Sequence, residues 1–119
     1  MSRTLPVPDA AQATRDAVLG PDGRSDASLR EAIFEHALRL AADDESGAER
    51  VPAQLLGLVD KIVRHAYRVT DADIEDVVDA GYTEDAVFDV IVAAALGAAW
   101  FRRAQALQLV DQHFGRAVA

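Results

Sequence analysis

The residues best suited to acid–base chemistry lie close together in the segment KIVRHAYR, where His65 stands between Arg64 and Arg68. Histidine titrates near neutral pH and can act as a general acid or base, and arginines can bind an anionic substrate. The segment therefore suggests a catalytic His65 with Arg64 and Arg68 as substrate-binding residues. The alternative is a half-buried helix histidine that is satisfied by a backbone group.

Glu35 and His36 form a second candidate pair for acid–base chemistry, although a surface position is the favoured interpretation of both His36 and His113. His36 follows Glu35 in a segment where Glu31, Glu35 and Arg39 are spaced four residues apart. That spacing predicts charge pairs along a solvated helix face, with His36 one step around the helix. His113 lies near the end of the last predicted helix. The three histidines do not show the close spacing of a metal site.

A cofactor or metal motif is not recognisable elsewhere in the sequence. Carboxylates occur at Asp71, Asp73 and Glu75, but a calcium loop needs glycine at its sixth position and glutamate at its twelfth. Asp76 and Tyr82 occupy those two positions. Neither a glycine-rich phosphate loop nor a nucleophile elbow is present. We therefore expect no metal and no cofactor.

Composition narrows the classes of protein to which the chain can belong. It has 119 residues, enough for one domain, and a formal net charge of −8. A nucleic-acid-binding protein needs a basic face, and an anionic membrane surface also attracts basic residues. The pair Arg102 and Arg103 is too small to provide one. We therefore expect neither nucleic-acid nor membrane binding.

The chain contains no cysteine, which excludes disulfides and thiolate chemistry within it. The start of the sequence lacks the apolar core of a signal peptide. The longest uncharged apolar run, residues 90–101, has 12 residues, whereas a membrane span needs about 20. These features favour a cytoplasmic protein.

Helical periodicity predicts an all-α fold, a bundle of about five helices. A loose arm over residues 1–8 precedes a single domain over residues 9–119. The predicted helices cover about residues 9–19, 26–41, 52–67, 70–80 and 83–113. Thr70 and Thr83 are expected to cap the last two helices, and Gly81 between them is expected to adopt the left-handed conformation of a helix stop.

The last predicted helix contains an unusually small and apolar stretch, AAALGAAW. Almost no side-chain bulk is present on any face, so neighbouring helices can approach closely from several sides. Two interpretations of this stretch stay open. It could be buried in the middle of a bundle, which is the simpler interpretation, or it could form a contact between subunits, and the two can coexist.

The segment VTDADIEDVVDAGYTEDAVFDV, followed by the small-residue run, resembles the C-terminal part of the carboxymuconolactone decarboxylase and alkylhydroperoxidase D-like superfamily. The resemblance covers about residues 55–110. It implies an all-α fold that assembles into trimers or hexamers. Family members with peroxidase activity carry a CxxC pair with a nearby histidine and a proton-relaying glutamate. This chain has no cysteine, so that mechanism cannot be placed on any of its positions.

The resemblance therefore implies a scaffold more than an activity. The leading expectation is a cysteine-free, non-redox binding, scaffold or accessory protein that forms homo-oligomers and also contacts a protein partner. The alternative is a lyase or hydrolase acting on a small anionic metabolite, with His65 as the acid or base. That alternative requires a cavity lined by His65 and at least one arginine.

One intermolecular contact is predicted from the separation of charges along the chain. An acidic loop could meet basic residues of a neighbouring copy. The acidic residues are Asp43, Asp44 and Glu45, and the basic ones are Arg102, Arg103 and Arg116.

Overall fold

The computed structural model of the chain describes Gln12, Ala13, Arg15 and residues 26–115. The described residues form four α-helices and no strand, which confirms the all-α prediction. In chain order the helices are α1 (Ala27–Ala41), α2 (Ala53–His65), α3 (Asp71–Asp79) and α4 (Glu84–Val110). Short 3-10 turns cover Ala48–Arg50 and Ala66–Arg68, and a wider π turn, Asp111–Gly115, follows α4.

The first of the five predicted helices, residues 9–19, lies largely outside the described residues. Gln12, Ala13 and Arg15 are helical. The predicted arm over residues 1–8 also lies outside the described part of the chain.

Local capping explains where three of the helices begin. The backbone N–H of Ser28 donates to Asp26 at the start of α1, and that of Ala86 donates to the Thr83 hydroxyl at the start of α4. Thr70 and Asp73 form a complete capping box before α3. Each cap satisfies an N–H that lacks a partner within the helix, so the predicted caps are confirmed.

Gly81 ends α3 as predicted, with a φ of 114°. Its N–H donates to the carbonyl of Val78, and the N–H of Tyr82 donates to that of Val77. These two bonds are the Schellman pattern, which requires a left-handed residue that glycine adopts without a steric penalty. Tyr82 packs against the core of which Val77 is a member. The turn thereby sets α4 back against the other helices.

The core lies between α1, α2 and one side of α4. The contact between α1 and α4 is the most extensive, and α3 packs against parts of α2 and α4. The fully buried apolar side chains include Ile33, Phe34, Leu55, Val59 and Val90.

Gly97 marks the closest approach of two helices. A Cβ atom at this position would lie 2.4 Å from the carbonyl oxygen of Phe34 and 3.0 Å from Cβ of Ala37. Real side chains do not tolerate the first distance, so the missing side chain is what lets α4 lie directly on the backbone of α1. The small residues of α4 therefore serve close packing on its core side.

The α1 helix contains two buried polar residues, one of which was predicted to lie on the surface. Arg30 is 1% exposed and His36 is 4% exposed, although His36 was expected on a solvated face. The expected charge pair Glu35–Arg39 does form, at 4.0 Å. His36 is buried because the loop after α1 turns back toward it and brings the Ser46 carbonyl oxygen to 3.4 Å from its Nδ1. The interpretation of His36 as a surface residue is therefore wrong.

Asp73 links the start of α3 to α2. Lys61 Nζ donates to both Asp73 carboxylate oxygens at 2.9 Å, and the Thr70 N–H donates to one of them at 2.9 Å. The bond from Lys61, followed by that from Thr70, lowers the pKa of Asp73 below its usual value of 3.8. A carboxyl group with a lowered folded-state pKa stabilises the fold above its unfolded pKa and loses that contribution as the pH falls.

Asp73→Asn is therefore expected to lower the free energy of unfolding at pH 7, with a difference from wild type that shrinks as the pH falls from about 5 toward 2. Urea unfolding across this range measures the difference. Exposed Glu75→Gln is the matched control, because it removes a carboxylate from α3 without altering the cap. An Asp73→Asn difference that stays constant with pH would contradict the assignment.

Candidate functional site

The structure places His65 at the last residue of α2, on the surface. Its ring meets the ring of Tyr67 edge to face, with centroids 6.1 Å apart, and Tyr67 itself is 80% exposed. His65 does not line the cavities at His36, at Ser28 or at Gln54. The cavity that the lyase or hydrolase hypothesis requires beside His65 is therefore not among them.

The two arginines flanking His65 point to different surroundings. Arg68 lies over the ring of Tyr67, 5.6 Å from its centroid. Arg64 reaches the Asp60 carboxylate at 3.2 Å and also lies 3.8 Å from Glu45. Because Arg64 faces acidic groups, its charge is already balanced within the chain. His65, Arg64 and Arg68 thus do not converge on one anion-binding site in the described structure.

A different histidine, His36, lines a polar cavity. The cavity measures about 180 Å³, and its lining combines charged and apolar side chains. The lining residues are His36, Glu45, Asp60, Arg64, Leu40, Ala48 and Leu56. It is formed where α1, α2 and the loop between them meet. Sequence periodicity could not locate it, because the loop that closes it is brought back by tertiary contacts.

The geometry of this cavity favours a structural histidine over a catalytic one. A carbonyl oxygen only accepts hydrogen bonds, so the contact with Ser46 favours the tautomer with the proton on Nδ1 of His36. In the same loop, the Ser46 N–H donates to Asp44 at 2.9 Å and lowers the pKa of that carboxyl group. The first contact holds the loop against α1, and the second lies within the loop. The carboxylates around Arg64 leave the cavity poorly suited to an anionic substrate.

The side of α4 that faces away from the core is apolar along most of its length. We call it the outer face of α4, and its apolar members are Phe88, Val92, Ala95, Ala99, Ala106 and Leu109. Phe88 and Leu109 are each 65% exposed, Val92 is half-buried, and the three alanines are exposed. Residues such as Val90, Ala94 and Gly97 bury the opposite side. Apolar residues on both sides are typical of a helix with neighbours on both sides.

The distal part of α4 extends beyond the core. Ala98 is its last buried residue, yet the α-helix continues to Val110 and the π turn to Gly115. Leu107, Val110 and Phe114 on this extension are more than half exposed. Helices gain most of their stability from packing of an apolar face. The extension therefore exposes apolar side chains that the other described helices do not bury.

The predicted contact between acidic and basic residues of neighbouring copies has competing partners within the chain. Asp43 and Glu45 lie 4.0 and 3.8 Å from Arg64. Arg102 donates to the carbonyl oxygen of Val63 at 3.2 Å, and Arg103 lies over the ring of Trp100. Arg116 lies outside the described residues.

Among residues 26–115 and the three described positions before them, His, Asp and Glu side chains do not gather in a group of three that could hold a metal ion. No helix in this part of the chain is long and apolar enough to cross a membrane.

Comparison with known proteins does not assign the chain. No known family matches it, and neither the curated proteins nor the solved structures contain a significant match. The exposed face of α4 had one signal in the sequence, the run of small residues at positions 93–99. That run had two interpretations, and a contact between subunits was one of them.

Proposed function

We propose that this protein is a non-redox helical scaffold or binding protein that acts as a homo-oligomer. The observation that supports the proposal most is the exposure of apolar residues on the outer face and the distal extension of α4. Exposed apolar patches on otherwise acidic proteins mark interaction sites. Phe88, Leu109 and Phe114 are each more than 60% exposed.

The polar residues favour this proposal over an enzyme. His65 is exposed and does not line the three cavities described above, while Arg64 faces Asp60 and Glu45. His36 contacts the backbone of its own loop. A general acid or base needs to reach a substrate that is held nearby, and neither histidine has that arrangement.

The resemblance to the carboxymuconolactone decarboxylase and alkylhydroperoxidase D-like superfamily is part of the same proposal. The capped helix, the Gly81 stop and the Thr83 cap that carry the resemblance are present in the structure. They support a shared helical arrangement. A trimer or hexamer is the assembly that such a relationship implies.

Light scattering coupled to size-exclusion chromatography, together with native mass spectrometry, tests the proposal. We expect a particle mass that is a multiple of 12.8 kDa and that falls toward the monomer on dilution, since self-association follows mass action. A mass of one chain at all concentrations up to about 100 µM, far above the dissociation constants of stable oligomers, would contradict it.

A further inference from the structure

We propose that the outer face of α4 binds the same face of a second copy, with the two α4 helices running antiparallel. The inference rests on the proposed function, and it adds the surface and the geometry of the contact. Of the trimer and the hexamer that the resemblance implies, only a hexamer can contain such a two-fold contact. It concerns an element whose core side is already filled by α1 and α2, so the pairing requires no rearrangement of the fold.

The spacing of the outer face matches a helix-pairing seam. Its positions within α4 are 88, 92, 95, 99, 102, 106 and 109, so steps of four and three residues alternate, and His113 follows in the π turn. This alternation is the spacing at which two helices remain in contact over several turns. The positions from 92 to 109 can be aligned with themselves in antiparallel orientation, and in such a two-fold pair each contact occurs twice, with the two copies exchanged.

The register that aligns the two seams brings compatible side chains together. Val92 faces Leu109 of the second copy, and Ala95 faces Ala106 of the second copy. At the centre Ala99 faces Arg102 of the second copy, whose guanidinium is directed to the carbonyl of Val63 in its own chain. The alanines at 95, 99 and 106 permit a close approach, and the α-helical part of the seam, positions 88–109, is about 32 Å long at 1.5 Å per residue.

Charge favours a second copy as the occupant. The chain carries a net charge of −8, yet the seam itself contains no carboxylate. Its two basic positions are compatible with pairing: Arg102 is turned back to the carbonyl of Val63, and His113 would lie near the acidic first turn of the partner α4, which contains Glu84 and Asp85. Two acidic molecules can thus meet here with little repulsion, whereas a basic partner would be drawn to the acidic surfaces elsewhere.

Distances between spin labels on single cysteines test the orientation, and the cysteine-free chain makes such labelling specific. Gln105→Cys and Gln112→Cys place labels on exposed residues beside the seam. In the antiparallel register the labelled residues are separated along the helix axis by about 14 Å at position 105 and about 35 Å at position 112. The measured distance should therefore be about 20 Å longer at position 112.

The labelled variants are first checked for the oligomeric mass of the unlabelled protein. Equal, short distances at both positions would mean parallel helices and would overturn the inference. An oligomer in which neither label detects a neighbouring α4 would also overturn the inference. In that case the proposal of a homo-oligomer would still hold. A monomeric protein would overturn both.

Discussion

Gly97→Ala is expected to destabilise the fold by about 2 kcal/mol, as inserting a methyl group into a filled contact typically does. The new Cβ would lie 2.4 Å from the carbonyl oxygen of Phe34 and 3.1 Å from the backbone nitrogen of Leu38. Both atoms belong to the backbone of α1, which cannot rotate away as a side chain would. The helices would have to separate along the most extensive contact of the fold. Urea unfolding followed by circular dichroism measures the loss.

Gly57→Ala is the matched control, because Gly57 is also in the interior of a helix. A Cβ atom there would meet nothing within 4 Å. The same substitution should therefore stabilise the protein by up to about 1 kcal/mol, the gain in helix propensity of alanine over glycine. Opposite signs for the two variants would separate steric packing from propensity. If Gly97→Ala were as stable as Gly57→Ala, the close approach of α1 and α4 would be refuted.

The parts of the fold that the sequence predicted are those determined within a few residues. Thr70, Thr83 and Gly81 each bond to a backbone group three positions away, so their residue types are informative without knowledge of the tertiary structure. For the same reason the ends of α2 and α3 lie close to their predicted positions. Helix caps and left-handed glycines are local chemistry.

The candidate site was less predictable because it depends on contacts between distant segments. The burial of His36 requires the loop containing Ser46, ten residues later, to fold back onto α1. Arg64 pairs with Asp60 four residues earlier on its own helix, a contact that the spacing in the sequence allows. Arg64 also lies near Asp43 and Glu45 of the loop, and the sequence does not indicate these contacts. Helical periodicity assigns such residues to a side of their own helix, and it does not show which segment covers that side.

The two interpretations of the alanine-rich stretch both describe part of α4. Its core side is buried, with Gly97 against α1, as a position inside a bundle requires. Its outer face exposes Ala95 and Ala99, which a bundle interior would not. The sequence could not separate these sides because the residue types are the same on both. The helices of the described structure bury the core side of α4 and leave its outer face exposed.

Val92→Glu and Leu109→Lys are each expected to weaken self-association at least about 100-fold, and mixing the two variants should restore it. Each substitution alone would bury an unpaired charge against an apolar side chain of the second copy, which costs several kcal/mol. In a mixed pair the Glu at 92 would face the Lys at 109, while the unchanged Leu109 would face the unchanged Val92. The restored species would contain one chain of each variant, and native mass spectrometry can identify it by mass.

Ala104→Glu is the control, because it adds a carboxylate to an exposed position of the same helix on the side away from the outer face. This variant should keep the oligomeric mass of the wild type. If it weakened self-association as much as Val92→Glu does, the interface would instead lie on the distal extension around Leu107 and Phe114. Rescue by mixing carries the stronger argument. A variant that simply unfolds cannot be rescued by a second variant, and a general effect of added charge would not depend on pairing Glu with Lys. Only helices that place position 92 of one copy against position 109 of the other predict recovery in the mixture alone.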